Sequence, residues 1–270
     1  MKILEKKDYY KAMRPLSDVK INTLFAEAVI EQRVPGVIYV DDLLEPTTFY
    51  VVHSYGMSLL FGESDNKRFS QGLFEYITNK GLVRHKPEWL QVDPASGWND
   101  IIESFVDSQP SIMRNTRVNF SFNYENFKTT RQEDPNLNYD IVRMTNELYL
   151  SQMGSVVPKY FWRDVDQFLT IGVGYCLLSG GEIASTAFSA FRNEHQLEIG
   201  IETVEAYRGK GYAFVVCSAL IEYCLGNQLE PVWACRLENE GSYKLAQRLG
   251  FEPTITIPYY QLAYEEQYRC

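Results

Sequence analysis

The stretch that most restricts what this chain can become is Leu197 to Gly226, LEIGIETVEAYRGKGYAFVVCSALIEYCLG. It begins with alternation: Ile199, Ile201 and Thr203 against Glu198, Gly200 and Glu202. That is the period of a strand with one apolar face and one face carrying two carboxylates. It ends with Ala213, Val216, Cys217, Leu220, Ile221 and Cys224 at helical spacing, an apolar stripe that needs a partner layer. Between them lies a short basic turn. The first N–H groups of a helix have no partner inside it and carry the positive end of its dipole, so this turn suits phosphate. Gly209 and Gly211 remove Cβ atoms where a ligand must approach the backbone, while Arg208 and Lys210 add charge. An ordinary basic strand–helix connection has the same outward features, and the turn alone does not separate the two.

The 270 residues leave room for one large domain or two modest ones. With 45% hydrophobic and 14% aromatic residues the chain can bury a sizeable core, which excludes a disordered class. A net charge of −9 argues against non-specific nucleic-acid or anionic-membrane binding and is compatible with a cationic substrate. The 5 cysteines show no CxxC pair or metal-finger spacing, which fits free thiols in a reducing compartment. Cys217 and Cys224 fall on one helix face as small buried residues. The opening MKILEKKDYYKAM lacks the apolar core of a signal peptide, and no run approaches a membrane span, so the expected location is cytoplasmic.

In the first half, residues 17–33 read as a helix capped by Ser17 and ended by Pro35 and Gly36. Two or three strands follow in 36–63, a helix over about 68–79, a short strand in PEWLQVDP, a helix in GWNDIIESFV and a strand in RVNFSFNYENF. The polar run 128–138 is the best domain boundary, giving an N-terminal α/β domain over 1–136 and a second domain over 137–270. His53 and His85 have no nucleophile elbow beside them, no HExxH helix exists, and no metal is expected.

The second half opens with a strand in 138–149 and a helix over 158–170 started by Pro158. Two strand-like runs joined by Gly180–Gly181 form a hairpin. After the central stretch come the strand VWACR, a helix from Asn239 to Leu249 with Asn239 as N-cap, and a last strand, TITIPYYQL. The fold class is α/β (α+β): a mixed, mostly antiparallel sheet flanked by helices. The order is neither a Rossmann alternation nor a barrel, and Tyr212 after Gly211 disfavours a nucleotide-hydrolysing loop.

The turn Arg208-Gly209-Lys210-Gly211-Tyr212-Ala213 resembles the Q/R-x-x-G-x-G/A turn of the GCN5-related N-acetyltransferase (GNAT) family, position for position. The family's following segment also has a counterpart in Asn239, Ser242 and Leu249-Gly250-Phe251. The likeness covers roughly 138–270, and the long N-terminal extension is similar to that of the subgroup with zwittermicin A resistance proteins. In its order of elements the first half itself resembles a degenerate GNAT repeat, whose GESDNKRFSQG lacks the cofactor motif.

The resemblance implies direct acetyl transfer from acetyl-CoA, as co-substrate, to a primary amine of a small molecule or peptide. It implies that the backbone around Ile201, Thr203 and Val204 binds the pantetheine arm. N–H groups of Gly209 to Ala213 hold the pyrophosphate, with Arg208 and Lys210 beside them, and Asn239 and Ser242 touch the cofactor from the next helix. Glu202 and Glu198 are candidates for the base on one strand face, where the plainer reading is a solvated surface. Many relatives carry a tyrosine acid where this chain has Ala246; Tyr243 is three residues earlier. Nothing argues for nucleic-acid or membrane partners, and a homodimer is compatible. Two rivals remain. One is a non-catalytic acyl-CoA-binding regulator, supported by the missing tyrosine. The other is an aminoacyl transferase of tandem GNAT-like folds, disfavoured by the intact turn and the net charge.

Overall fold

The computed structural model describes residues 1–130, 139–262 and 264. The chain divides into two compact units, Met1–Arg117 with Thr256–Cys270, and Val118–Ile255. The expected boundary at 136/137 lies outside the described residues, as does most of the polar run that suggested it.

The first unit starts with β1 (Lys2–Ile3), a 3-10 turn (Lys6–Ala12), α1 (Met13–Leu16) and α2 (Leu24–Ile30). The helix expected over 17–33 is therefore two helices. Ser17 closes the first instead of opening a longer one, and its hydroxyl donates back to the Arg14 carbonyl. The Asn22 side chain accepts from the Leu24 N–H and starts α2; such local side-chain bonds compete with a continuous helix. Then come β2 (Gly36–Val40), β3 (Thr48–His53), β4 (Met57–Gly62), α3 (Lys67–Ile77), β5 (Glu88–Val92), α4 (Trp98–Val106) and β6 (Ile112–Phe122). Strands β1 to β4 form an antiparallel meander, and β5 runs parallel to β4. The unit's share of the last strand, β12 (Phe251–Leu262), pairs antiparallel with β5 through Tyr260–Leu262. Phe69 and Leu73 of α3 and Trp98 and Ile102 of α4 pack on Tyr50, Leu60 and Leu90 of the sheet.

The second unit continues from β6 into α5 (Tyr124–Thr130), β7 (Asp140–Arg143), α6 (Asn146–Leu150) and a 3-10 turn (Pro158–Tyr160). It goes on with α7 (Val165–Ile171), β8 (Gly174–Ser179), β9 (Glu182–Arg192) and β10 (Gln196–Thr203). After a 3-10 turn (Glu205–Tyr207) come α8 (Tyr212–Gly226), β11 (Glu230–Arg236), α9 (Glu240–Arg248) and the start of β12. Two expectations shift. Pro158 opens only the single 3-10 turn; the helix is started by Asp164, whose carboxylate accepts from the Gln167 N–H at 2.7 Å. The strand expected in RVNFSFNYENF begins earlier, at Ile112, and yields to α5 where Asn123 accepts from the Asn126 N–H.

Within this unit the strand order is β12-β6-β11-β10-β9-β8-β7, with β7 to β10 antiparallel and β11 parallel to β10. Val216, Cys217, Leu220, Ile221 and Cys224 of α8 are fully buried against Leu177, Ala187, Leu197 and neighbouring core residues. Burial pushes the Cys224 thiol up to about 12, and Cys217 higher still, so neither supplies a thiolate near neutral pH. Among the described residues no helix is long and apolar enough to cross a membrane, and no cluster of side chains has metal-binding composition.

Candidate active site

Strands β10 and β11 are in register only for Gln196–Glu198 against Glu230–Val232. Beyond Glu198 they part, while β10 stays paired to β9 along Leu197–Thr203. The free edge of β10 opens into a cavity of about 630 Å³, whose wall includes Ile201, Glu202 and Thr203. Strand edges left unpaired in this way present backbone donors and acceptors to a ligand.

The basic turn closes one end of the cavity. Gly209 and Gly211 have φ of +78° and +80°, and a Cβ on either would meet nothing within 4 Å. Glycine is therefore demanded by the backbone conformation and not by the protein's own packing. No side chain caps α8. Its first carbonyl interactions run from Phe214 and Val215 back to the Gly211 carbonyl, while the N–H groups of Gly209 to Ala213 meet no acceptor among the described residues. Unsatisfied donors at a helix start, aimed at an open cavity, are the geometry of an anion site.

From the far side, α9 lines the same cavity. Asn239 caps it through its side-chain oxygen, which accepts the Ser242 N–H at 3.2 Å and leaves the amide NH₂ to donate elsewhere. The Ser242 hydroxyl accepts from the Trp233 indole at 3.3 Å, so its own proton is available to a ligand. Gly241, Lys244 and Arg248 share that face, and the Arg248 guanidinium lies 4.9 Å from the Phe214 ring centroid. With Arg208 they make a basic mouth in a protein of net charge −9.

Most of the residues singled out from sequence come together here: Ile201, Thr203, Arg208, Gly209 and Gly211 along the strand and turn, then Tyr212, Ala213, Asn239 and Ser242 on the two helices. Glu198, Val204 and Lys210 do not form the wall. The Val204 N–H donates to the Ala184 carbonyl, and the Lys210 ammonium sits 4.8 Å from the Tyr207 ring centroid. The two carboxylates separate in environment. Glu202 is half-buried at the cavity, and its Oε2 accepts from the N–H groups of Ser155 (3.0 Å) and Val156 (2.9 Å). Glu198, at 6% exposure, is buried at the point where β10 and β11 diverge. The solvated-face reading is thus overturned for Glu198, while Glu202 stays partly open to the cavity; between them Phe188 of β9 covers Gly200, and Phe161 packs on Phe188.

Neither tyrosine alternative reaches the cavity from the expected place. Ala246 is fully buried in the core, and Tyr243 stands edge-on to Phe120 at 5.4 Å. Ser155 and Val156 carried no sequence signal. Lys244 and Arg248 did: with Gly241 they recur at helical spacing on the face of α9 that also carries the cavity.

The family model described as GNAT acetyltransferase matches residues 14–260. The "Uncharacterized N-acetyltransferase YdfB" of Bacillus subtilis (strain 168) is 27% identical over 253 residues, spanning 93% of this chain and 94% of that protein. The crystal structure of a GCN5-related N-acetyltransferase-like protein from Streptococcus suis 89/1591 aligns with a TM-score of 0.73 at 24% identity, over 95% of this chain and 99% of that one. A tandem GNAT protein from the clavulanic acid biosynthesis pathway aligns with a TM-score of 0.62 at 11% identity, over 98% and 99% of the two chains.

Proposed function

The chain belongs to the GNAT acetyltransferase family and is an acyltransferase of that type, and on that premise we propose that it moves the acetyl group of acetyl-CoA directly onto a primary amine of a small molecule or peptide. The observation that carries this reading is the row of N–H groups from Gly209 to Ala213 that meet no acceptor among the described residues, at the end of the cavity that opens along the unpaired edge of β10.

Residue roles follow from position. The N–H groups of the turn hold the pyrophosphate, with Arg208, Lys244 and Arg248 supplying counter-charge at the mouth. The edge of β10 at Ile201–Thr203 pairs with the amides of the pantetheine arm, and Asn239 and Ser242 donate from α9. This holds the thioester beside the point of divergence, so that transfer becomes effectively unimolecular. Glu198, buried at that point, takes the ammonium proton through water. The thiolate leaves without a tyrosine acid on α9, since the position of that residue is Ala246 in the core. The first unit is a second copy of the same plan without a working turn, and the protein acts in the cytoplasm.

The buried Ala246 also favours one rival, an acyl-CoA sensor that binds without turning over. Incubating the protein with acetyl-CoA and a panel of polyamines, amino sugars and peptide amines, and following free CoA, decides between them. Transfer predicts amine-dependent release that falls at least about 100-fold in Glu198→Gln, the size expected for a lost general base. Saturable binding with no release from any amine would establish the sensor.

A further inference from the structure

We propose that Glu202 is a positioning residue: its carboxylate latches the Gly154–Val156 loop against β10 and so sets the acceptor-side wall of the cavity. The proposal rests on the acetyl-transfer reading for its consequence, though not for its geometry.

Glu202 reaches the cavity from β10, yet its Oε2 is already the meeting point of several donors. Besides the Ser155 and Val156 N–H groups at 3.0 and 2.9 Å, the Ser155 hydroxyl lies at 3.5 Å. Ionised acceptors that gather backbone N–H groups make the stronger class of hydrogen bond. The approach is also sterically closed. Gly154 has φ of +132°, and a Cβ placed there would lie 2.7–2.8 Å from three atoms of the Glu202 side chain. Only glycine lets the loop come this near.

The loop is fastened at both ends. Gln152 is buried and donates to the Leu148 carbonyl at 3.0 Å, and Val157 is fully buried. Met153 between them is 79% exposed. The segment from 153 to 156 thus spans two fixed points, and Glu202 ties its middle to the strand that carries the thioester. Ser155 and Val156 form part of the cavity wall, so a shift of the loop reshapes the acceptor side while the pyrophosphate turn stays in place. With Oε2 taken by these donors, the carboxylate's part is to hold the loop, and its effect on the amine runs through the wall that Ser155 and Val156 form.

Three variants test this: Glu202→Ala, Glu202→Gln and Gly154→Ala, each checked for an intact melting transition. Amide hydrogen exchange at Ser155 and Val156 is read first. It should rise about tenfold or more in Glu202→Ala and Gly154→Ala, and less in Glu202→Gln, whose carbonyl oxygen can still accept. Kinetics with a turned-over amine should show the acceptor KM raised about tenfold in Glu202→Ala, with the acetyl-CoA KM within about threefold. Glu202→Gln should recover most of that loss and keep the shape of the pH–rate profile. Unchanged exchange in Glu202→Ala overturns the latch. A Glu202→Gln enzyme as slow as Glu202→Ala, with kcat reduced and a limb of the pH profile lost, overturns it in favour of a base. Wild-type protein that releases no CoA with any amine would sink the transfer reading, and the exchange response would still decide the latch.

Discussion

The strand–turn–helix at β4 and α3 of the first unit repeats the one at β10 and α8 of the second, and the two end in opposite outcomes. Each strand closes an antiparallel meander, each helix covers the sheet, and each is followed by a strand parallel to the first. In the first unit the parallel pair stays together. Met57–Leu60 are in register with Trp89–Val92, and further backbone bonds run from Trp89 to the Gly56 carbonyl and from Asp93 to the Leu60 carbonyl. The turn is also closed: the Glu63 carbonyl accepts from Thr48 and the Trp98 indole, and the Asn66 side chain caps α3 at the Phe69 N–H. Even the glycines differ in kind. Gly62 has φ of +91° and a Cβ there would lie 2.2 Å from the Thr47 carbonyl oxygen, whereas Gly209 and Gly211 face open space. In the second unit two parallel strands part and a helix start is left without a side-chain cap; in the first unit the same plan keeps the strands paired and the helix capped.

The largest expected effect comes from damaging the two turns in parallel. Gly211→Val forces a β-branched residue to φ of +80° and disturbs the donors of the turn, so the acetyl-CoA KM should rise about 100-fold, roughly 2.7 kcal/mol. Asn66→Ala should leave that KM alone and cost about 1 kcal/mol of stability in denaturant melts, the usual value of a lost N-cap. Equal effects of both variants on KM would mean that both turns bind cofactor, and the contrast would collapse.

A second difference is electrostatic and belongs to the first unit. His53 is fully buried, and its Nδ1 accepts from the Tyr55 N–H. Burial, reinforced by Lys86, lowers its pKa from 6.5 to about 3. The folded-state value lies below the unfolded one, so between them the unfolded chain binds a proton the native state refuses. Stability should therefore fall as pH drops from about 6.5 towards 3, by at most about 1.4 kcal/mol per pH unit, with the full share of this group present and no further pH dependence from it above that window. Glu88 in the same unit works in the opposite sense, since burial raises its carboxyl. Its stabilising share is present below the ordinary glutamate value and is lost as pH rises through the folded one. The difference between wild type and His53→Asn, which keeps an acceptor toward Tyr55, isolates the histidine. Urea melts at pH 4 and 7 should show a shallower loss in the variant, and identical slopes would remove His53 from the acid response.

The legible part of this molecule is local. Gly209 and Gly211 beside two cations, ahead of an apolar stripe, mark α8 and the uncapped turn before it, because turn conformation and helix start are written within a few residues. Asn239 was equally plain as a cap. What escaped depends on contacts far apart in sequence. Nothing in the alternation of β10 says that its pairing with β11 stops after Glu198, or that Phe188, with Phe161 packed on it, covers Gly200 between the two carboxylates. The hold of Glu202 on Ser155 joins residues 47 apart, with only Gly154 as a hint. The helix expected at 17–33 failed for the converse reason: a sound apolar period was interrupted by Asn22, whose side chain starts a new helix.

The smallest expected effect tests which side of α9 carries chemistry. In the first unit α4 puts Trp98 and Ile102 into the core, and in the second α9 does the same with Ala246, while Gly241, Lys244 and Arg248 face the cavity. Tyr243 belongs with the core side, its ring at 61° to Phe120 and absent from the cavity wall. Removing its hydroxyl in Tyr243→Phe keeps that ring contact, so kcat should stay within about twofold of wild type, with both KM values unchanged. A fall of kcat beyond about tenfold, with the melting transition intact, would put the leaving-group acid on Tyr243. The core-facing side of α9 would then take part in the reaction, and the division between a catalytic face and a packing face would be wrong for this helix.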